Sequence, residues 1–366
     1  MIPSLEFCEN NIDAVFVTEA ASRSEPGRRA AERAASVWTV QAIESRESVP
    51  EEHRNQRSVV IDEVRGEPFG RCPGTNGHLC CNYNTVDLYI GCSIGCTYCI
   101  MNGYLNFAPL VVQADTGPII QAIRSAATAN PDRRIRVGSG EVGDSLLLDP
   151  VFRLNEEIIT GVADLANVRY ESKTKTNYVD HLLQVQPKGN AVIGFSLNPD
   201  AIVAAEDGIA ATPGERIDAA KRCVEAGYHV AFHFDPVIRT PLFPADYVSL
   251  IRNLADFPPL TIEWISLGTI RFPPGLRDRF ADRPFAHEEF VPGRDGKLRY
   301  LQPVRREIYA TLTAALAAVT DAPTYLCMES PAIWTRVFGD RPGRLHGLRD
   351  IFAPAGEISS RKGRTL

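Results

Sequence analysis

Residues 86–99 read VDLYIGCSIGCTYC, and the fold follows from how that stretch is read. VDLYI has the β-branched, apolar and aromatic content of a short strand, and a glycine with three cysteines follows it as a loop. The same order of strand, loop and helical segment then recurs along the chain. RIRVGSGE precedes a helix beginning near Asp149, VRYES precedes KTKTNYVDHLL, and NAVIGFSL precedes a segment with a helix from Pro213. YHVAFHF and TIEWISLG come next, then a helix from Pro303 and a last strand in TYLCME. Strands alternating with helical segments call for parallel pairing and βαβ crossovers. Six or seven such units predict an α/β fold, a partial (β/α)6-type TIM barrel. In a barrel, the loops at the C-terminal strand ends carry the chemistry. The cysteine loop, the GSGE segment, Ser196, His233 to Asp235 and Cys327 all fall at such ends.

Upstream of the barrel, AVFVTEA reads as a strand, the Ala- and Arg-rich stretch from Pro26 to about Ser45 as a surface helix, and SVVIDEV as a second strand. The expected organisation is a small N-terminal α/β lobe over 1–75, the barrel over 76–330, and a basic C-terminal extension over 331–366. That extension holds seven basic residues against three acidic ones.

The composition is that of a water-soluble protein: 366 residues, 44% apolar and 23% charged, with a mean hydropathy of −0.13. No apolar run approaches the ~18 residues of a membrane span. The N-terminus MIPSLEFCEN has neither the basic start nor the apolar stretch of a secretory signal, so a cytoplasmic protein with no membrane partner is expected. The net charge of −6 argues against duplex DNA as the main partner. Nine cysteines without an export signal do not read as a disulfide framework. Six of them fall between Cys72 and Cys99, which points to metal or redox chemistry.

Cys92, Cys96 and Cys99 can bind three irons of a 4Fe–4S cubane and leave the fourth open, whereas a structural cluster normally takes four thiolates. An open iron can chelate the amino and carboxylate groups of S-adenosylmethionine and deliver an electron to its sulfonium, which yields a 5′-deoxyadenosyl radical. The rival is a structural zinc loop with a fourth ligand from Cys80 or Cys81. Cys72, Cys80 and Cys81 also invite an auxiliary metal centre, a redox pair, or a role as buried thiols.

The CxxxCxxC loop after a first barrel strand resembles the radical S-adenosylmethionine superfamily. CPGTNGHLCCNY, GCSIGCTYCIMNGYLN, VRYESKTKTNYVDHLL, GFSLNPD, RIDAAKRCVEAGYHVAFHFDPVI, WISLGTIRF, DGKLRY and YLCMESPAIW, in that order, resemble the spore photoproduct lyase family and its uncharacterised bacterial branch. The resemblance implies a 4Fe–4S cluster on Cys92, Cys96 and Cys99, with Tyr98 beside the adenine of S-adenosylmethionine. It implies that Gly138, Ser139, Gly140 and Glu141 hold the methionine amino group and that Lys175 pairs with the methionine carboxylate. Ser196 and Asn198 would bind the ribose or carboxylate, and the backbone around Asp235 would approach the adenine. A reductant such as flavodoxin or ferredoxin is the implied partner.

One position departs from the family. The repair lyases return a hydrogen atom to a thymine radical from a cysteine just after the second barrel strand, and Glu141 stands there in this chain. A carboxyl O–H bond is too strong for that transfer. Cys327, in the last predicted strand with Glu329 on the same face, is the replacement donor in this sequence, against the alternative of a buried core cysteine. His233 and Asp235 share a strand face and are candidates to orient substrate or take a proton. Lys297, Arg299, Tyr300 and Arg271 suggest an anionic substrate group. From Glu141 and the acidic balance, a radical enzyme acting on a small molecule ranks first. A photoproduct lyase for DNA ranks second, and a non-catalytic metal-binding module third.

Overall fold

The structure is a computed structural model that describes residues 3–352 except 64, 75, 76 and 346. The chain begins with β1 (Ala14–Thr18), β2 (Val40–Ile43) and β3 (Ser58–Asp62). It continues with β4 (Phe69–Arg71), β5 (Asn84–Val86), β6 (Tyr89–Ile90) and β7 (Leu110–Gln113). The strands β8 (Ile135–Ser139), β9 (Val168–Thr174), β10 (Val192–Ser196), β11 (His229–Val237) and β12 (Ile262–Thr269) follow. Last come β13 (Arg271–Phe272), β14 (Phe290–Pro292), β15 (Leu298–Tyr300) and β16 (Thr324–Leu326).

Eight of these strands form one sheet in the order β16-β12-β11-β10-β9-β8-β5-β4, which curls into a partial barrel. Every pair from β5 to β16 is parallel, and β4 closes the near edge antiparallel to β5. Sequential parallel neighbours are what alternating strands and crossovers dictate. Residues of β8 and β10 are buried throughout, as expected of strands covered on both faces. The third sheet, β13-β15-β14, is antiparallel and holds Phe272, Phe290 and Tyr300 in a cluster of ring contacts.

Several expectations change in detail. VDLYI is not one strand. β5 ends at Val86, and Tyr89–Ile90 pair with β7 in the N-terminal sheet, of order β2-β1-β3-β7-β6. The chain crosses between sheets at Asp87 and Leu88, where Gln113 Nε2 donates to Asp87 O at 2.6 Å and Gln113 N to Leu88 O at 2.9 Å. The N-terminal sheet therefore takes strands from beyond residue 75. The helix expected from Pro26 to Ser45 is Glu25–Ala35, and VQAI is β2, parallel to β1. β-branched Val40 and Ile43 suit a strand better than a helix. KTKTNYVDHLL forms turns after a β9 that runs on through Thr174.

The helix expected from Pro213 is present at Pro213–Glu225, opened by a capping box between Thr212 and Glu215. Another helix, Pro331–Phe338, begins the predicted basic extension, whose residues 353–366 lie outside the described residues. Among the described residues no helix is long and apolar enough to cross a membrane.

Candidate active site at the C-terminal ends of the barrel strands

The cysteine loop leaves β6 through Gly91, whose N–H donates to Val142 O at 2.9 Å, so it lies against the segment that follows β8. On its other side it is clamped by residues 206–209. Thr97 N donates to Glu206 O at 2.8 Å and Ile209 N to Ile94 O at 3.0 Å. A Cβ on Gly208 would lie 2.0 Å from Ile94 O, so only glycine allows this approach. The thiols of Cys92, Cys96 and Cys99 are half-buried, neither sealed in the core nor free in solvent. Three thiols on one loop, fixed from two sides by backbone bonds, suit three corners of a 4Fe–4S cubane. Among the described residues no three His, Cys, Asp or Glu side chains converge tightly enough for a single ion, Cys72, Cys80 and Cys81 included. A cubane places its irons at separate corners and needs thiolates spread apart.

Beside this loop lies a buried charge cluster of which the sequence showed only Lys175 and Tyr98. Lys175 Nζ pairs with Asp207 Oδ1 at 2.9 Å, and Arg216 Nη2 pairs with Asp207 Oδ2 at 3.0 Å. The Tyr98 hydroxyl donates to Asp207 and accepts from Lys175 Nζ. Burial alone would raise the Asp207 carboxyl, but Lys175 and Arg216 hold it below its ordinary range. Two cations face one carboxylate, which leaves a surplus positive charge for a second carboxylate. Asn198 Nδ2 lies 3.4 Å from the Tyr98 hydroxyl, and its Oδ1 accepts from Tyr247 at 2.9 Å. Ser196 is buried, and its carbonyl accepts from Arg216 at 2.7 Å. Nothing local in the sequence marked Asp207 or Arg216, because 175, 207 and 216 meet only through the barrel.

The GSGE segment is shaped first by the chain itself. A Cβ on Gly138 would lie 1.6 Å from the Tyr83 hydroxyl, so Gly138 makes room for Tyr83. Ser139 points its hydroxyl at Ser145 (2.8 Å) and Asn155 (3.3 Å), which leaves its backbone for the mouth. Asp144, another residue the sequence did not single out, accepts from Thr174 Oγ1 at 2.8 Å and Lys175 N at 2.8 Å, fixing the start of the lysine segment. Past Gly140, Glu141 turns towards β4. Cys72, one residue beyond β4, extends the ladder with its N–H on Tyr83 O at 2.9 Å and places its sulfur 3.9 Å from Glu141 Oε1.

Across the mouth, Asp235 is paired with Arg271 at 3.0 Å, and Arg271 Nη2 lies 4.0 Å from Cys327 Sγ. Cys327 and Glu329 do not share a face. Met328 is left-handed at φ 52° and turns the chain, so Glu329 is fully buried against Arg305 (2.8 Å) and Tyr309 (3.1 Å). His233 lies below the mouth with both nitrogens engaged, Nδ1 at 2.6 Å from Ser266 Oγ and Nε2 at 2.6 Å from Glu171 Oε1. Burial would raise Glu171, yet His233, Tyr83 and Arg136 hold it at about 2.

Of the cations expected at the mouth, Arg299 is neutralised by Asp295 at 2.6 Å and the buried Tyr300 donates nothing cationic. Lys297 remains, together with Lys173, which the sequence did not flag although it precedes Lys175 by one inward-facing step. The Lys173 charge acts on Asp235, His233 and Cys327, and that of Lys297 is felt by Arg271 and Cys72. Among the described residues neither ammonium has a carboxylate within ion-pair distance.

The family model described as spore photoproduct lyase matches residues 78–271, more than half of the chain. The chain belongs to the spore photoproduct lyase family. Its members are radical S-adenosylmethionine enzymes, and the matched span contains the cysteine loop, GSGE, Lys175, Asp207 and the Asp235–Arg271 pair. A curated spore photoproduct lyase from a Geobacillus species is 24% identical over 189 residues, 49% of this chain. The match covers 55% of that relative, so the chain spans about half the length of the curated family protein. Among solved structures, a spore photoproduct lyase variant with dinucleoside spore photoproduct superposes with a TM-score of 0.75 at 17% identity. That match covers 86% of this chain and 98% of the other. A variant with both AdoMet and dinucleoside spore photoproduct gives 0.74 at 18% identity over the same shares of each chain. At such identities the superpositions establish the fold of the family in this chain.

Proposed function

We propose that the chain is a radical S-adenosylmethionine lyase that reverses a thymine–thymine photoproduct of DNA, taken as a dinucleotide-sized unit at the barrel mouth. The charge of that mouth carries the reading. With Arg271 counted against Asp235, Lys173 and Lys297 outweigh Glu141 by one positive charge. A lesion joining adjacent thymines brings one phosphodiester between its sugars, a single anion for that surplus. The dinucleoside photoproduct bound by solved members of the family supports the same substrate class.

A small-molecule substrate is the weaker reading. That reading draws on Glu141 and on the net charge of −6, but the charge is spread over the whole chain and does not describe the mouth, where Lys173 and Lys297 stand. The family match also favours the repair lyase.

In this proposal Cys92, Cys96 and Cys99 hold the cluster, and Lys175 with Arg216 receives the methionine carboxylate. The backbone of Gly138 to Glu141 takes the amino group, while Tyr98, Ser196, Asn198 and the backbone at Asp235 surround the adenosine. When bound, cluster and cofactor together supply one-electron cleavage of the sulfonium and a radical able to abstract hydrogen. His233, engaged on both nitrogens beneath the mouth, positions Glu171 and Ser266 and does not act on substrate. The partner is a one-electron donor of the ferredoxin or flavodoxin class.

Lys175→Ala should weaken S-adenosylmethionine binding by ~1.5–3 kcal/mol, the range for a hydrogen bond to a charged group, and Arg216 should keep Asp207 paired. Equilibrium binding to the reconstituted protein reads this, and unchanged affinity would move the carboxylate elsewhere. The substrate is tested with dinucleoside photoproduct, reduced enzyme and cofactor under anaerobic conditions. Release of the thymine dinucleoside is the expected result. Formation of 5′-deoxyadenosine with no thymine product would overturn the assignment.

A further inference from the structure

We propose that Cys72 is the thiol that returns a hydrogen atom to the substrate radical, with Glu141 as its positioning residue. The assignment rests on the photoproduct reading above. Opening the bond between two thymines after hydrogen abstraction leaves a carbon radical on the product side, and this radical must gain a hydrogen atom. A thiol offers a bond weak enough for this transfer and a hydrogen that exchanges freely with solvent.

The mouth holds three thiols that sense one another, Cys72, Cys81 and Cys327. They differ in their surroundings. Cys327 lies beside the Asp235–Arg271 pair, with its N–H on Leu267 O at 2.7 Å. Cys81 is half-buried, and its carbonyl receives the buried Arg136 at 3.4 Å. Among these three thiols Cys72 alone is in contact with Glu141, and it follows the edge strand β4, which pairs with β5 on the side away from β8. A carboxylate at 141 cannot donate a hydrogen atom, but it can accept the Cys72 S–H and hold the sulfur at the strand end. The Lys297 charge is also felt by this thiol. Burial and the neighbouring Glu141 push the Cys72 thiol well above its ordinary range, so the S–H is intact at neutral pH.

The step balances as follows. The Cys72 S–H bond breaks homolytically, a C–H bond forms on the thymine, and the sulfur is left as a thiyl radical. One electron from the ferredoxin- or flavodoxin-class donor and one proton, delivered through Glu141, restore the thiol.

The experiment uses the full-length, cluster-loaded enzyme in D2O with unlabelled dinucleoside photoproduct, and mass spectrometry of the thymine product. Wild type should incorporate solvent deuterium, because the thiol exchanges. Cys72→Ser, close in shape but with an O–H bond too strong to donate, should lose that incorporation while its iron content and circular dichroism match wild type. Glu141→Gln should reduce incorporation without abolishing it. Cys223→Ala, a buried helix cysteine away from the mouth, should keep it. Wild-type incorporation in Cys72→Ser would overturn the assignment, as would its loss in Cys327→Ala with Cys72→Ser unaffected. No thymine product from wild type would overturn the substrate reading first and this assignment with it.

Discussion

Replacing Cys92, Cys96 and Cys99 together by alanine should remove the cluster and with it all cleavage of S-adenosylmethionine. The three thiols are the sulfur donors of one loop, and nothing else on that loop can bind iron. Anaerobic reconstitution of the wild type should give about four irons and four sulfides per chain with the broad visible absorbance of an iron–sulfur centre. The triple variant should retain neither. Because the loop is clamped by backbone bonds from Gly91, Thr97 and Ile209 rather than by its sulfurs, the variant should stay folded, with a thermal transition close to that of apo wild type. Full iron content in the triple variant would place the cluster on other cysteines. Tetrahedral zinc in the wild type, with no cofactor cleavage, would favour the binding module instead.

Asp207→Ala should destabilise the fold by ~3–5 kcal/mol, the usual result of breaking a buried ion pair from one side. Arg216 and the Asp207 side chain are wholly shielded from solvent, and Lys175 is largely so. Removing the carboxylate leaves two ammonium and guanidinium charges near each other with no counter-charge, and removes the acceptor of the Tyr98 hydroxyl. Urea unfolding of the apo protein reads the loss. Asp207→Asn, which keeps an acceptor but not the charge, should lie between wild type and alanine. Added S-adenosylmethionine should stabilise Asp207→Ala more than wild type, since its carboxylate would replace the missing charge. A destabilisation below ~1 kcal/mol for Asp207→Ala would mean that water reaches the cluster and screens it.

Much of this protein is legible in one dimension. Strand-and-helix alternation from residue 86 onward gave a partial barrel because parallel strands buried on both faces must be apolar, and because sequential crossovers leave a repeating pattern. The cysteine loop was equally plain, since its three ligands lie within eight residues. The Pro213–Glu225 helix announced itself through Thr212, Pro213 and Glu215, all local signals.

Other features could not be read this way because their causes lie far apart in the chain. VDLYI has the composition of one strand, yet it divides between two sheets because β7, more than twenty residues later, competes for Tyr89 and Ile90. Strand alternation put Glu329 beside Cys327, but one left-handed residue at Met328 reversed it. The extra cation at the carboxylate side needs Lys175 from one crossover and Asp207 with Arg216 from the next. Most tellingly, Glu141 read as the loss of a thiol at the second strand end, because sequence compares one position with one position. Folding brings the Glu141 side chain into reach of the residue that follows the edge strand and sets Cys72 beside it. Fold class and cluster ligands are readable in one dimension, because their information is periodic or contiguous. Which charges are left over at the mouth, and which thiol meets Glu141, depends on packing between residues dozens of positions apart.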